Sequence, residues 1–235
     1  MDQSMSAVMG QLVETASSLQ GSLAEQLAYI ADQIRAMNPS FSDAVDAFVD
    51  RLAHAQAGEQ APNVGDAMPS FLLPDDRGRL VSLAKLLETA PVVVAFHRGH
   101  WCPYCRTNMI GLATLDAEVK PVQIVAISAE VQAYSRRLKA ESKANFPFLT
   151  DIGNGYALSL NLAIWVDDEM AALIQAADND IPKFQGQDGW LLPIPSVFVV
   201  GQDGLIKARH IDPDYRRRLE FADLKAFALE ALAKQ

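Results

Sequence analysis

The chain holds two cysteines, Cys102 and Cys105, separated by Pro103 and Tyr104 in the stretch "HRGHWCPYC". Two thiols at this spacing on the first turn of a helix lie close enough to close a disulfide. What such a pair can do depends on its acidity, because the thiolate is the nucleophile, and a cysteine pKa near 8.5 falls to roughly 3.5–7.5 beside helix N-termini or cations. Cys102 would then attack a peroxide oxygen or a disulfide sulfur. Cys105 would resolve the sulfenic acid or mixed disulfide that forms.

Two other readings compete. His97, His100, Cys102 and Cys105 form a dense His/Cys group that could bind zinc, although structural zinc sites usually draw their second ligand pair from further along the chain. Alternatively, both cysteines are small buried hydrophobes, a common fate for free thiols. The C-x-x-C spacing at a strand-to-helix junction favours the redox reading.

The elements that must position the pair can be read from the flanking sequence. "VVVAF" (92–96) is apolar at every position, as a central strand buried on both faces must be. Pro103 suits the first position of a helix, where its missing N–H is no loss. Strand and proline together deliver Cys102 to unpaired backbone donors and the positive end of a helix dipole, with Cys105 at about the third helical position. Arg98, His97 and His100 add positive potential, although such residues are more often solvated or hydrogen-bonded loop groups. The basic cluster "KARHIDPDYRRR" could attract an anionic partner, and a solvated surface is its simpler reading.

Beyond residue 71 short apolar runs alternate with helical segments, which predicts an α/β domain with a mixed sheet. "SFLLP", "VVVAF", "VQIVAIS", "FPFLT", "SVFVVG" and "LIKARHI" read as strands. The Gln202-Asp203-Gly204 step joins the last two as a tight antiparallel hairpin. Helices are expected in "SLAKLLE", "RTNMIGLATLDAEVK", "EVQAYSRRLKAES", "GYALSLNL" and "FADLKAFALEALAK", with Met109 and Leu112 in the core. The stretch from Trp165 to Trp190 reads as an insertion, partly helical and then loop.

The first 60 residues differ from the rest. They carry eight acids against Arg35 and Arg51, which is most of the chain's net charge of -9. Leu12, Leu19, Leu23, Leu27, Ile30 and Ile34 recur at helical spacing, predicting one or two helices. Ser40 is the expected cap of a further helix, "FSDAVDAFVDRLAHA". A Gly- and Pro-containing linker, "QAGEQAPNVGDAMPS", follows. The expected division is a helical N-terminal extension, 1–60, and a redox domain, 61–235.

With 235 residues and only two cysteines, the chain can bury a core without a disulfide framework. That favours a reducing compartment. "MDQSMSAVMGQLVETASS" lacks the basic start and apolar run of a secretory signal, so a soluble cytoplasmic protein is expected, with no membrane association. The negative charge disfavours phosphate-driven nucleic-acid binding. No cofactor and no metal are assigned. The apolar faces of the N-terminal helices could form a homodimer contact if they do not pack on their own core.

"WCPYC" after "VVVAF" resembles the redox motif of the thioredoxin fold, with the Pro-Tyr pair seen in glutaredoxins. More broadly, "VGDAMPSFLLPDDRGRLVSLAKLLETAPVVVAFHRGHWCPYC" is similar to the peroxiredoxin layout of the alkyl hydroperoxide reductase/thiol-specific antioxidant (AhpC/TSA) family, including a Gly-x-x-x-Pro-x-Phe-x-Leu pattern at Gly65, Pro69, Phe71 and Leu73. The resemblance covers about residues 62–215 and implies a thioredoxin-like three-layer α/β fold. From the thioredoxin fold it implies Cys102 as attacking thiol, Cys105 as resolving thiol, Trp101 as flanking aromatic and Pro195 as a cis proline against the pair.

The chain departs from the peroxiredoxin pattern Pro-x-x-x-Thr-x-x-Cys. Aligning Phe96 with the family phenylalanine puts Arg98 at the proline, Cys102 at the threonine and Cys105 at the peroxidatic cysteine. The family arginine that orients peroxide falls at about Pro195, leaving Arg98 as a substitute cation. The resemblance thus implies an antioxidant thiol oxidoreductase that reduces peroxides through a dithiol/disulfide cycle, drawing electrons from a thiol donor such as thioredoxin, glutaredoxin or glutathione. A disulfide reductase with little peroxidase activity is the alternative, and a noncatalytic partner-binding protein a third.

Overall fold

The computed structural model describes residues 5–233. Its centre is a five-stranded mixed sheet in the order β5-β4-β3-β8-β9. Strand β3 (Val92–Phe96) runs parallel to β4 (Gln123–Ser128), which runs parallel to β5 (Phe148–Thr150). On its other side β3 pairs antiparallel with β8 (Ser196–Val200), and β8 with β9 (Ile206–Ile211). The tight turn expected at Gln202-Asp203-Gly204 joins them, with Gly204 at φ 78°, a conformation glycine adopts without strain.

Side chains alternate across the strands, so each face of the sheet builds its own core. Val93, Ala95, Ile124 and Ala126 pack under Met109, Leu112, Leu138 and Leu224. These come from helices α5 (Pro103–Glu118), α6 (Gln132–Ser142) and α10 (Phe221–Ala233). On the opposite face Val92, Val94, Phe96, Val125 and Ile127 pack with Phe71, Tyr156, Leu160 and Phe198. Both faces are covered, which is why "VVVAF" shows no polar alternation.

Four small elements border the sheet: β1 (Leu72–Pro74) with β2 (Leu80–Ser82), then the short helices α4 (Leu83–Leu87) and α7 (Gly155–Ser159). The insertion is pinched at its base by a ribbon of β6 (Ala163–Trp165) and β7 (Leu191–Pro193), and carries α8 (Asp168–Ala176) and α9 (Ile181–Gln185). The strand β2 and this ribbon are too short to have shown a period in the sequence.

Helices α1 (Met5–Ser18), α2 (Leu23–Met37) and α3 (Pro39–His54) precede the sheet. Ser22 and Glu25 form a capping box that starts α2, the Glu25 N–H donating to Ser22 Oγ at 3.2 Å and the Ser22 N–H to Glu25 Oε2 at 2.8 Å. The next cap is Asn38 rather than Ser40: Asn38 Oδ1 accepts from the Phe41 N–H at 3.1 Å. Pro39 explains the shift, since a proline at the first helical position makes the residue before it the cap. Leu19, counted in the inward stripe, lies beyond the end of α1 and is exposed.

These helices lie directly on the redox region: Ala16, Leu23, Leu27 and Ile30 share one buried cluster with Cys102, Tyr104 and Cys105. The segment before α10 fastens the layer from the other side. Glu220 accepts from the Leu23 and Ala24 N–H groups, each at 2.9 Å, at the start of α2. Arg216 bridges Asp214 at 2.8 Å and Asp46 of α3 at 2.6 Å. Among the described residues no helix is long and apolar enough to cross a membrane.

Candidate redox site

β3 ends at Phe96, and five residues of loop carry the chain to α5, with Cys102 as its N-cap and Pro103 first in the helix. Both sulfurs are buried, each cysteine 1% exposed, and both are free thiols. The loop folds back so that the Arg98 backbone N–H donates to Cys105 Sγ at 3.4 Å. Arg218, reaching in from beyond β9, places its Nη2 3.8 Å from the same sulfur.

The two thiols therefore differ sharply. Burial pushes the pKa of Cys105 up, but the Cys102 thiol donating to it, the Arg218 guanidinium, the Arg98 N–H and the Arg98 charge outweigh burial and bring it down to about 6. Cys102 is raised, first by burial and then by its hydrogen bond to Cys105. This reverses the expectation that Cys102, at the helix start, would be the thiolate. Its side chain makes no capping bond to the helix, whereas Cys105, one turn on, collects the donors.

The loop is held by a buried carboxylate that the sequence did not single out. Glu130, 0% exposed, accepts from the His100 N–H at 2.8 Å through Oε2 and lies 2.6 Å from His100 Nδ1 through Oε1. Burial raises its pKa against the opposing pull of His100. The His100 ring stacks on Tyr134 at 4.7 Å and meets Phe184 edge-on at 4.8 Å. Gly99, at φ 141°, makes the turn possible: a Cβ there would lie 2.5 Å from Glu130 Oε1.

His97 leaves the site altogether. Its ring packs edge-on against Phe148 at 5.6 Å with both nitrogens unpartnered, and burial, then the charges of His100 and Arg218, lower its pKa to about 3. With His100 committed to Glu130 and His97 turned into the core, the four-residue His/Cys group does not converge. No group of three or more potential ligands gathers among the described residues.

The Arg98 side chain is 6% exposed and lies between two aromatic faces, with its Cζ 3.9 Å from the Tyr215 ring centroid and 4.7 Å from that of Trp101. Its Nε has no hydrogen-bond partner. Trp101, Arg98 and Cys102 form the floor of a cavity of about 200 Å3. Cys105 lies behind Cys102, outside that lining.

Pro195 does not line that cavity, and the cis bond expected there is not found: the one cis peptide among the described residues is Lys120–Pro121. The chain runs extended from β7 into β8, with the Ile194 N–H bonded to the Leu162 carbonyl at 2.7 Å. The position where the family pattern would put an arginine is a proline here, and Arg218 brings a cation to the Cys105 sulfur from elsewhere. It belongs to the basic cluster noted in the sequence, but its position offered no hint that it would turn inward.

Comparisons with known proteins agree with this architecture. A sequence model of the AhpC/TSA family matches residues 64–209. Peroxiredoxin Q, chloroplastic, of Oryza sativa subsp. japonica is 33% identical over 92 residues, covering 38% of this chain and 42% of the relative. The chain therefore spans about two fifths of the length of the curated relatives it matches. Among solved structures, Peroxidoxin BcpB from Mycobacterium tuberculosis superposes with TM-score 0.52 at 22% identity, covering 72% of this chain and 94% of that one. A mutant of Peroxiredoxin 6 of Arenicola marina gives TM-score 0.57 at 18% identity over 74% and 76% of the two chains. The yeast mitochondrial 1-Cys peroxiredoxin, described with a thiol-resolving mechanism via glutathione/thioredoxin systems, gives TM-score 0.55 at 17% identity over 74% and 78%. At these identities the structural matches bear on the fold.

Proposed function

Because the chain belongs to the AhpC/TSA family, we propose that it is a thiol peroxidase in which Cys105 attacks and Cys102 resolves. The observation that carries this is the asymmetry of the pair: Cys105 is the sulfur that Arg218, the Arg98 N–H and the Cys102 thiol hold as a thiolate. The Cys105 thiolate attacks a peroxide oxygen, an S–O bond forms as the O–O bond breaks, and the departing hydroxide or alkoxide takes up a proton. Arg98 and Arg218 provide the positive potential that this departing oxygen meets. The Cys102 thiol then attacks the sulfenic sulfur, closing the disulfide and releasing water. Two electrons from an external thiol donor of the thioredoxin, glutaredoxin or glutathione kind return the pair to dithiol.

The test uses the two serine variants. Cys102→Ser should consume one equivalent of hydrogen peroxide and stop at a sulfenic acid trappable with dimedone, whereas Cys105→Ser should be inert to peroxide. If Cys105→Ser formed the sulfenic acid instead, the roles would be exchanged. A wild type that reduced a model disulfide but ignored peroxide would point to the disulfide reductase. Localisation in the cytoplasm and the division into a helical layer (1–60) and a redox unit (61–235) belong to this same reading, supported by the cysteine usage and the charge contrast.

A further inference from the structure

Resting on the dithiol/disulfide cycle of the thiol-peroxidase reading, we infer that the cavity over Cys102 is the entry site of the reductant, and that it takes a small, uncharged dithiol carried on an apolar carbon chain. The attack falls on Cys102. Of the two sulfurs only Cys102 lines the cavity, and Cys105 lies behind it. The roof comes from α1, α2 and α3, which carry Met5, Met9, Ile34, Met37 and Phe41 and precede the stretch that matches the family. A thiol on the surface of a folded protein cannot reach a sulfur 1% exposed beneath these helices without displacing them, whereas a thiol on a thin chain can.

The direction of cleavage agrees with this approach. In the oxidised pair the reductant's thiolate attacks Cys102 Sγ, a new S–S bond forms, and the Cys102–Cys105 bond breaks with its electron pair on Cys105. Cys105 is the better leaving sulfur, because Arg218 Nη2 at 3.8 Å and the Arg98 N–H at 3.4 Å receive its charge. The reductant's second thiol then attacks its own first sulfur and closes a cyclic disulfide. Cys102 leaves and takes up the proton that the second thiol gave up, so two electrons have passed from the dithiol to the pair. Size requires the dithiol. The cavity is about 200 Å3, and about 150 Å3 already holds a benzene ring. One bound chain fills it, so a second thiol molecule has no room to reach the mixed disulfide, whereas a sulfur already on the chain is in place.

The lining selects the rest of the molecule. Arg98, 6% exposed with an unpartnered Nε, is the one charged side chain along it, and at the floor it favours the thiolate form of the incoming sulfur. Leu173 and Ile174 of α8 complete the apolar walls. Asn38 and Asn179 also line the cavity: Asn38 Oδ1 accepts the Phe41 N–H at 3.1 Å, and Asn179 Nδ2 donates to the Ala177 carbonyl at 3.1 Å. The amide atoms they leave over suit a neutral polar end such as a carboxamide. Glutathione, with two carboxylates and an ammonium, meets a single cation and hydrocarbon here. Methionine suits such walls because its unbranched thioether adapts to different shapes.

The disulfide form is prepared with diamide, so that its re-reduction is read independently of peroxide chemistry, and free thiols are counted by alkylation and mass spectrometry. The probes are dihydrolipoamide, dithiothreitol, glutathione and a reduced thioredoxin, each corrected for its thiolate fraction, on wild type, Met37→Glu and Leu173→Gln. Met37 is 48% exposed, so its replacement leaves the core intact, and circular dichroism checks both folds. Dihydrolipoamide should react about tenfold or more faster than dithiothreitol, the equivalent of about two buried methylenes, and faster than the other two probes. The dihydrolipoamide-to-dithiothreitol ratio should fall about tenfold in Met37→Glu, and in the same direction in Leu173→Gln. Benzyl mercaptan, which has no second sulfur, should stall as a mixed disulfide on Cys102. A wild-type ratio near one, a ratio unmoved in both folded variants, faster reduction by thioredoxin or glutathione, or a mixed disulfide on Cys105 would each overturn the inference while leaving the peroxidase reading in place. A pair that diamide cannot join would overturn both. A pair that cycles with these thiols but is inert to peroxide would overturn the peroxidase reading alone.

Discussion

Replacing Arg218 with methionine should weaken Cys105 as a nucleophile without moving it. The guanidinium lies 3.8 Å from Cys105 Sγ, in a site where the cysteine is 1% exposed. A full charge pair at roughly 4 Å is worth about 4 kcal/mol at an effective dielectric constant of about 20, or about 3 pKa units. Arg218 is half-buried and shares its donors with the Tyr215 and Arg217 carbonyls, so part of that interaction is lost to solvent and to those partners. Opposite charges at such distances lower a pKa by about 1 to 3. From a starting value of about 6, a rise of about 2 cuts the thiolate present at pH 7 by roughly tenfold. The assay is thiolate absorbance at 240 nm against pH in a Cys102→Ser background, where a single sulfur titrates. A midpoint no higher than that of Cys102→Ser alone would refute the assignment of Arg218 as a principal source of the acidity.

Other consequences are equally open to measurement. His97 is neutral in the fold with a pKa lowered from 6.5 to about 3, so its contribution to stability is complete above pH 6.5 and is lost as pH falls toward 3. The expected slope is about 1.4 kcal/mol per pH unit, and His97→Phe should flatten that limb in urea titrations across this range. Glu130→Ala should cost about 3 kcal/mol or more by leaving the His100 N–H and ring nitrogen without their acceptor, whereas Glu130→Gln keeps one acceptor and should cost less; equal losses in chemical denaturation would argue against the pairing. Gly99→Ala should destabilise by more than about 1 kcal/mol because of its positive φ and the contact with Glu130, and a neutral effect on thermal unfolding would contradict the described loop.

Much of the scaffold was legible because it rests on local rules. An unbroken apolar run, a proline after the first cysteine and a C-x-x-C spacing placed the thiols at the end of β3 and the start of α5. The Asp-Gly step marked the β8–β9 turn. What was not legible depended on residues far apart in sequence. The identity of the thiolate turns on Arg218, 113 positions from Cys105, and on a loop that folds the Arg98 N–H back over the helix. Neither has a sequence period. Glu130 was hidden for the same reason: it is one carboxylate after a strand, meaningful only because His100 lies beside it. The cis proline expected at Pro195 came from the family resemblance rather than from any local signal, and the β7–β8 path overrode it.

The fastening of Glu220 to the start of α2 also bears on the order in which the protein becomes reactive. The guanidinium of Arg218 and the carboxylate of Glu220 lie within five residues of the final helix's third position, yet they complete a site whose cysteines were made more than 100 residues earlier. During synthesis, both thiols emerge before Arg218, one of the groups that sets the acidity of Cys105. A nascent chain thus carries its two cysteines without that cation, and the full acidity of Cys105 is expected only once the segment holding Arg218 has folded onto the redox loop.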